Sequence, residues 1–179
     1  MPLPSLLGSL LSVEKSEIEG IRRAKVVMLG APSVGKTSLV QRFVHSVFSE
    51  QHLSTLGVKV DRKTVEVDGQ TVSLLLWDMH GEADGLEVPR NYLTGARAGL
   101  LVFDRTRLET YEVARSLGAR FLEASPDAQV YVVASKSDLE ADLSAVSELL
   151  GPATLEHTSA KTGEGVEELF VKVATGLTA

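Results

Sequence analysis

The chain has no cysteine. That excludes a disulfide, a thiolate metal site, and prenyl or palmitoyl attachment. Position 2 is Pro2 rather than glycine, so the N-myristoylation pattern is missing too. There is no basic excess: 18 lysines and arginines face 24 acidic residues, for a net charge of -6. Broad nucleic-acid binding needs a basic surface and is not expected. No apolar run approaches the roughly 20 residues of a membrane span, and no basic leader precedes the N-terminal leucines, as a secretory signal would require. Internal repeats and low-complexity linkers are lacking as well. These absences leave a cytoplasmic protein without a lipid anchor as the expectation. What is present is ordinary globular composition, 44% hydrophobic and 23% charged. At 179 residues the chain fits one domain and buries roughly 70% of its unfolded surface.

Short apolar runs alternate with helical patterns. Ala24 to Leu29, Thr71 to Trp77, Gly99 to Phe103 and Gln129 to Ala134 read as strands. Leu39, Val40, Phe43, Val44 and Val47 share one helix face, as do Leu108, Tyr111, Val113, Leu117 and Phe121, and then Val166, Leu169, Phe170 and Val173. Strands covered by helices on both faces lose their polar alternation, so the pattern implies an α/β fold around a mostly parallel sheet. One pair differs. Val58 to Val67 and Thr71 to Trp77 are separated by Asp68-Gly69-Gln70, a hairpin signal that predicts one antiparallel edge strand. Along it Val58, Val60, Val65 and Val67 alternate with Lys59, Asp61, Glu66 and Asp68, the pattern of a half-exposed edge.

Residues 1–20 stand apart from the domain at 21–179. Leu3, Leu6, Leu7, Leu10 and Leu11 form one helical stripe, and Pro4 suits a first turn. The opposite face, Ser5, Gly8, Ser9 and Ser12, has little charge. An amphipathic helix docked on its own domain is expected. A membrane-surface or partner-binding helix comes second, because a membrane helix would carry lysine or arginine on that face.

Chemistry concentrates in Gly30-Ala31-Pro32-Ser33-Val34-Gly35-Lys36-Thr37, which matches G-x-x-x-x-G-K-[ST], the P-loop. Glycines let the backbone wrap a phosphate with successive N–H groups aimed inward. The helix that follows points its positive end at the same anion. Lys36 supplies a cation between β- and γ-phosphates, and the Thr37 hydroxyl is a magnesium ligand. A chance match is expected in roughly 1% of chains this size or fewer, and here a strand precedes and a helix follows.

Asp78-Met79-His80-Gly81 ends the next strand pattern. Its Asp can reach magnesium through water, and its Gly can offer an N–H to the γ-phosphate. Thr55, in Ser54-Thr55-Leu56-Gly57, is a second hydroxyl candidate. Ser135-Lys136-Ser137-Asp138 follows another apolar strand. A carboxylate there accepts two hydrogen bonds from guanine N1–H and the 2-amino group. Adenine would leave it stranded, which discriminates by ~10⁴-fold or more. In Thr158-Ser159-Ala160-Lys161 a small residue lets a backbone N–H reach guanine O6.

In this order the motifs resemble the Ras-like small GTPases, and most of all their Rab branch, over about residues 24 to 175. The resemblance implies a P-loop NTPase domain: a three-layer sandwich with a six-stranded, mostly parallel sheet and one antiparallel edge strand. It implies GTP/GDP and Mg2+ as ligands. Pro32, Ser33, Val34, Gly35, Lys36, Thr37 and Ser38 would hold phosphate, with Thr37, Thr55 and Asp78 around the metal. Thr55 becomes the switch threonine. Ser135, Lys136 and Asp138 read the base with Ser159, Ala160 and Lys161. Phe48 takes the place of an aromatic over the guanine, and a core phenylalanine at a helix end fits nearly as well. Lys36, Gly81 and Glu82 form the implied catalytic set. An effector, an exchange factor and an activating protein are the implied partners of a monomer.

Several positions depart from the family. Ser135 stands for the usual Asn, Glu82 for the water-orienting Gln, and His80 for a small residue. Pro32 and Ser33 replace glycines. The stretch from Glu82 to Asn91 is acidic and holds Gly85 and Pro89. No prenylated tail follows the last helix pattern, as in bacterial Ras-like GTPases. His45, His52, His80 and His157 lack metal-ligand spacing. Arg22, Arg23 and Lys25 read as a solvated strand entry. Arg90 and Arg97 are candidate intrinsic fingers by residue type alone. A GTP-dependent switch with slow hydrolysis is the expected function. The alternative is a GTP-bound interaction scaffold with little or no hydrolysis. A P-loop kinase is disfavoured by the guanine motif.

Overall fold

A computed structural model describes residues 22–48, 57–79, 88–151 and 155–179. The N-terminal stripe, His52, Thr55, His80, Gly81 and Glu82 lie outside them. Six strands form one sheet: β1 (Arg22–Leu29), β2 (Val58–Val67), β3 (Gln70–Met79), β4 (Ala98–Asp104), β5 (Gln129–Ser135) and β6 (Leu155–His157). Their order is β2-β3-β1-β4-β5-β6. Only β2 runs antiparallel, pairing with β3 from Val58↔Met79 to Val67↔Gln70. The helices are α1 (Lys36–His45), α2 (Arg90–Leu93), α3 (Glu109–Ala124), α4 (Ser144–Leu150) and α5 (Val166–Thr178).

The period of two along each central strand builds two cores. On β1, Val26 and Met28 face one layer while Val27 and Leu29 face the other, and all four are at most 1% exposed. Leu100 and Val102 of β4 join the first layer, and Leu101 and Phe103 the second. The first is covered by Leu39, Val40 and Phe43 of α1 and Leu169, Phe170 and Val173 of α5. Phe43 stacks on Phe170 with centroids 4.0 Å apart, fixing α1 to α5. The second is covered by Tyr111, Ala114, Leu117 and Phe121 of α3, with Leu93 and Val146. The α3 layer lies very close: a Cβ on Gly99 would come within 2.6 Å of the Phe121 ring. Helices on both faces make the predicted three-layer sandwich.

The hairpin forms through Asp68 and Gly69 alone, with φ of 50° and 74°. Positive φ at both central residues is the twist-matched turn. The edge strand differs from its expected pattern. Val65 and Val67 are buried, whereas Val58 is half-buried and Val60 is 48% exposed. Val65 and Val67 have odd numbers and Val58 and Val60 even ones, and the register is unbroken, so the two pairs point to opposite faces. The first pair joins the α1/α5 layer, while Val58 packs toward the layer containing Met79. Val47 is also misassigned: α1 ends at His45, Ser46 turns left-handed at φ 56°, and Val47 is 54% exposed. Among the described residues no helix is long and apolar enough to cross a membrane.

Candidate functional site

Strands β1, β3, β4 and β5 are parallel, so their C-terminal ends share one edge of the sheet. Gly30, Asp78, Asp104 and Ser135 lie at or just beyond those ends. Crevices outside the carboxyl ends of parallel strands are where such sheets bind ligands.

The phosphate-loop candidate grows from β1 into α1. Gly30 passes so close to β4 that a Cβ would lie 2.1 Å from the Val102 carbonyl oxygen. Ser33 and Gly35 have φ of 61° and 104°, and this left-handed backbone turns the chain into the helix. Pro32 and Ser33 are exposed, Val34 is fully buried, and Thr37 and Ser38 are half-buried. Lys36 is 6% exposed. Its Nζ donates to the carbonyls of Gly30 at 2.8 Å and Ala31 at 2.9 Å, folding the side chain back over the loop. Desolvation draws its pKa down to about 8, and the negative charge of Asp78 opposes that shift. Asp78 is 1% exposed at the end of β3. The residues fit an anhydride with a divalent cation: a buried cation and left-handed turns for the phosphates, and hydroxyl and carboxylate oxygens for magnesium.

The base-loop candidate follows β5. Ser135 is 6% exposed, and its hydroxyl lies 2.6 Å from the Val34 carbonyl and 2.9 Å from that of Phe103, joining this loop to the phosphate loop and to β4. Lys136 has φ 61°, and its Nζ donates to Asp104 Oδ2 at 2.5 Å. Asp138 is exposed, and its Oδ1 accepts the Ser159 hydroxyl at 2.6 Å. Ser159 is itself fully buried, and its Oγ takes the Thr162 N–H at 3.1 Å. The hydroxyl thus ties one carboxylate oxygen of Asp138 to the loop that follows β6. The Ala160 and Lys161 carbonyls are both held by Arg42 of α1, at 2.5 Å for Ala160. A cavity of about 610 Å3 opens beside Asp138, lined also by Arg105, Ser137, Leu139 and Asp142.

The structure therefore brings the 30–38 stretch, Asp78, Ser135, Lys136, Asp138 and 159–161 to one edge of the sheet. Phe48 is half-buried two residues beyond the Ser46 cap. Thr55, Gly81 and Glu82 are outside the described residues. The two candidate fingers are elsewhere. Arg97 precedes β4 at the opposite edge, where its N–H bonds the Lys25 carbonyl, and Arg90 Nη2 reaches the Glu123 carbonyl at 3.5 Å. Lys25 is not simply solvated either: its Nζ donates to Thr94 O at 3.1 Å and sits 4.1 Å from the Trp77 ring centroid. Among the described residues no cluster of histidine and carboxylate could hold a metal by itself.

Four residues escaped the sequence reading: Arg42, Asp104, Arg105 and Arg107. Asp104 is 1% exposed and lies between the two loops. Burial works against its charge, but hydrogen bonds from Lys136, Thr106 and Arg107 outweigh that and hold its carboxyl at about 2. Its position at the end of an apolar strand, like that of Asp78, was the available signal.

The Ras family profile matches residues 25–179. Ras-related protein Rab-4 of Dictyostelium discoideum is 35% identical over 156 residues, 83% of this chain and 76% of that one. Ras-related protein Rab-4B of Homo sapiens is 35% identical over 158 residues, 84% of this chain and 74% of its own length. Ras-related protein Rab-19 of Rattus norvegicus is 30% identical over 163 residues, covering 87% and 75%.

Proposed function

The chain belongs to the Ras family of small GTPases, and from that premise we propose a magnesium-dependent guanine-nucleotide switch that hydrolyses GTP slowly and relies on a partner for speed. The observation that carries this reading is the contact between the loops: Ser135 Oγ lies 2.6 Å from the Val34 carbonyl, so phosphate and base candidates line one cleft. Lys36 and the backbone N–H groups of Ser33 to Ser38 are assigned to the phosphates, with Pro32 shaping the loop. Lys136 and Asp138, with Ser159, Ala160 and Lys161, are assigned to guanine, and Phe48 to the base face. Thr37 and Asp78 would hold magnesium, with Thr55 added when GTP is bound. The metal, when present, neutralises charge on the β- and γ-phosphate oxygens.

Glu82 governs the rate in this reading. A glutamine amide accepts from the attacking water and donates toward the γ-phosphate. An ionised glutamate only accepts, and a negative charge there would be repelled by the highly anionic γ-phosphate. Turnover is therefore slow until a partner supplies a positive group, worth up to ~10³–10⁵-fold in such reactions. Effectors, exchange factors and activating proteins are the general kinds of partner that family membership implies.

The test is to identify the nucleotide that co-purifies and then follow single-turnover phosphate release in the native chain, Glu82→Gln and Glu82→Ala. Bound guanine nucleotide with slow release, accelerated by Glu82→Gln, is expected. Bound GTP with no release in any variant favours the scaffold reading. Adenine nucleotide, or phosphate transfer to a small molecule, sinks both.

A further inference from the structure

The carboxylate of Asp104 carries more of the site than any motif assigns to it. It sits at the last residue of β4, in register with Ser135 of β5. Two residues earlier on β4, the Val102 carbonyl abuts Gly30. Asp104 Oδ1 accepts the Thr106 N–H at 2.9 Å and the Thr106 hydroxyl at 2.7 Å, which folds its own loop. Oδ2 accepts two cations at once, Lys136 Nζ at 2.5 Å and Arg107 Nε at 3.0 Å. The far end of the same guanidinium reaches the phosphate loop, with Nη2 3.4 Å from the Pro32 carbonyl. Thr110 fixes the turn from below: its Oγ1 takes the Asp104 N–H at 3.0 Å and donates to Arg107 O at 2.7 Å.

The geometry assigns Asp104 as a positioning residue for nucleotide binding: by holding Lys136 and Arg107 on one buried carboxylate oxygen, it fastens the base loop to the phosphate loop. The assignment rests on the functional reading above for its ligand, but not for its mechanics. Two cations on one oxygen repel each other, and a neutral amide there would no longer offset them. Lys136 would then be free to leave its left-handed seat, and Arg107 to let go of Pro32. Both loops would loosen together, because Asp104 acts through Lys136 and Arg107.

Asp104→Asn keeps the shape, and the remaining amide oxygen can still serve the Thr106 turn. Expected results are GDP release about 10- to 100-fold faster and a smaller Asp104→Asn effect in a Lys136→Ala background, because the carboxylate acts through that lysine. Hydrogen exchange is measured on the full chain, both as purified and stripped of nucleotide. Amides at 31–36 and 135–139 should lose protection together in Asp104→Asn. Unchanged GDP release and exchange, or effects strictly additive with Lys136→Ala, would overturn the assignment. If Asp104→Asn fails to fold, Arg107→Ala decides: exchange should rise at 31–36 and not at 135–139, and no rise refutes the fastening. If the native chain binds no guanine nucleotide, the functional reading fails, while exchange on the stripped protein still judges the role of Asp104.

Discussion

The two halves of the cleft are held by different means. The phosphate half is a main-chain object. Its shape comes from left-handed Ser33 and Gly35, from Gly30 against the sheet, and from a lysine folded onto its own loop's carbonyls. The base half is a side-chain object. Lys136 leans on Asp104, Asp138 on Ser159, and the 160–161 carbonyls on Arg42, each partner coming from a distant part of the chain. A main-chain site is set by a short contiguous sequence and fails when backbone room is taken away. A side-chain site draws on scattered residues and degrades in steps.

The largest effect should come from taking that room away. Gly30→Ala sets a Cβ against the Val102 carbonyl of a central strand that cannot retreat, so overpacking should cost about 3 kcal/mol. Urea unfolding checks it, and a native midpoint would mean the phosphate half is more pliant than described. Next is Asp138→Asn, which swaps an acceptor for a donor where guanine presents donors. GTP affinity should fall about 100-fold while xanthosine triphosphate gains. Competition titration with both nucleotides checks this, and retained GTP preference would move base recognition off this loop.

Acid supplies a gentler break. Asp104 has its carboxyl lowered from 3.8 to about 2, so the stability it contributes is present in full above pH 3.8 and is lost as pH falls through 2. The stability difference between the native chain and Asp104→Asn should therefore be constant near neutrality and shrink between about pH 4 and pH 2. Thermal unfolding at stepped pH measures it, and a pH-independent difference would deny that the carboxylate charge matters. The smallest effect is expected from Arg42→Ala. The Ala160 and Lys161 carbonyls lose a donor but can turn to water, so GDP release should quicken only about 3-fold. Stopped-flow exchange resolves such a change. A hundredfold change would make the base half as brittle as the other.

The same contrast decides what the sequence made legible. The phosphate loop was readable because its chemistry is contiguous: eight neighbouring residues supply the turn, the cation and the hydroxyl. Lys136 and Asp138 were readable in the same way. Asp104 was not, because a lone aspartate after Phe103 also ends an ordinary strand, and its partners are 32 and three residues away. Five of the strands announced themselves by apolar runs of five to seven residues or by the hairpin. β6 is three residues long, too short for any periodicity, and α4 buries only Val146. The end of α1 was overrun because the left-handed stop is Ser46, where sequence rules look for glycine. The valines of β2 misled because alternation was assumed to continue in phase, and no local signal marks the change of face between Val60 and Val65.

The Ser135 hydroxyl carries a single hydrogen, yet two carbonyls, of Val34 and Phe103, lie within reach of it. It can point squarely at only one of them at a time. The join between phosphate loop and strand is thus a rotor with two stops rather than a pair of permanent bonds. Its contribution is shared: about one hydrogen bond's worth, near 1 kcal/mol, is distributed over two contacts. Whichever carbonyl is momentarily without its donor relies on the other bonds of its own element. Anything that draws the Val34 carbonyl away by a few tenths of an ångström would leave the hydrogen resting on Phe103. The hydroxyl would then act as a latch that biases toward β4 whenever the loop above it shifts.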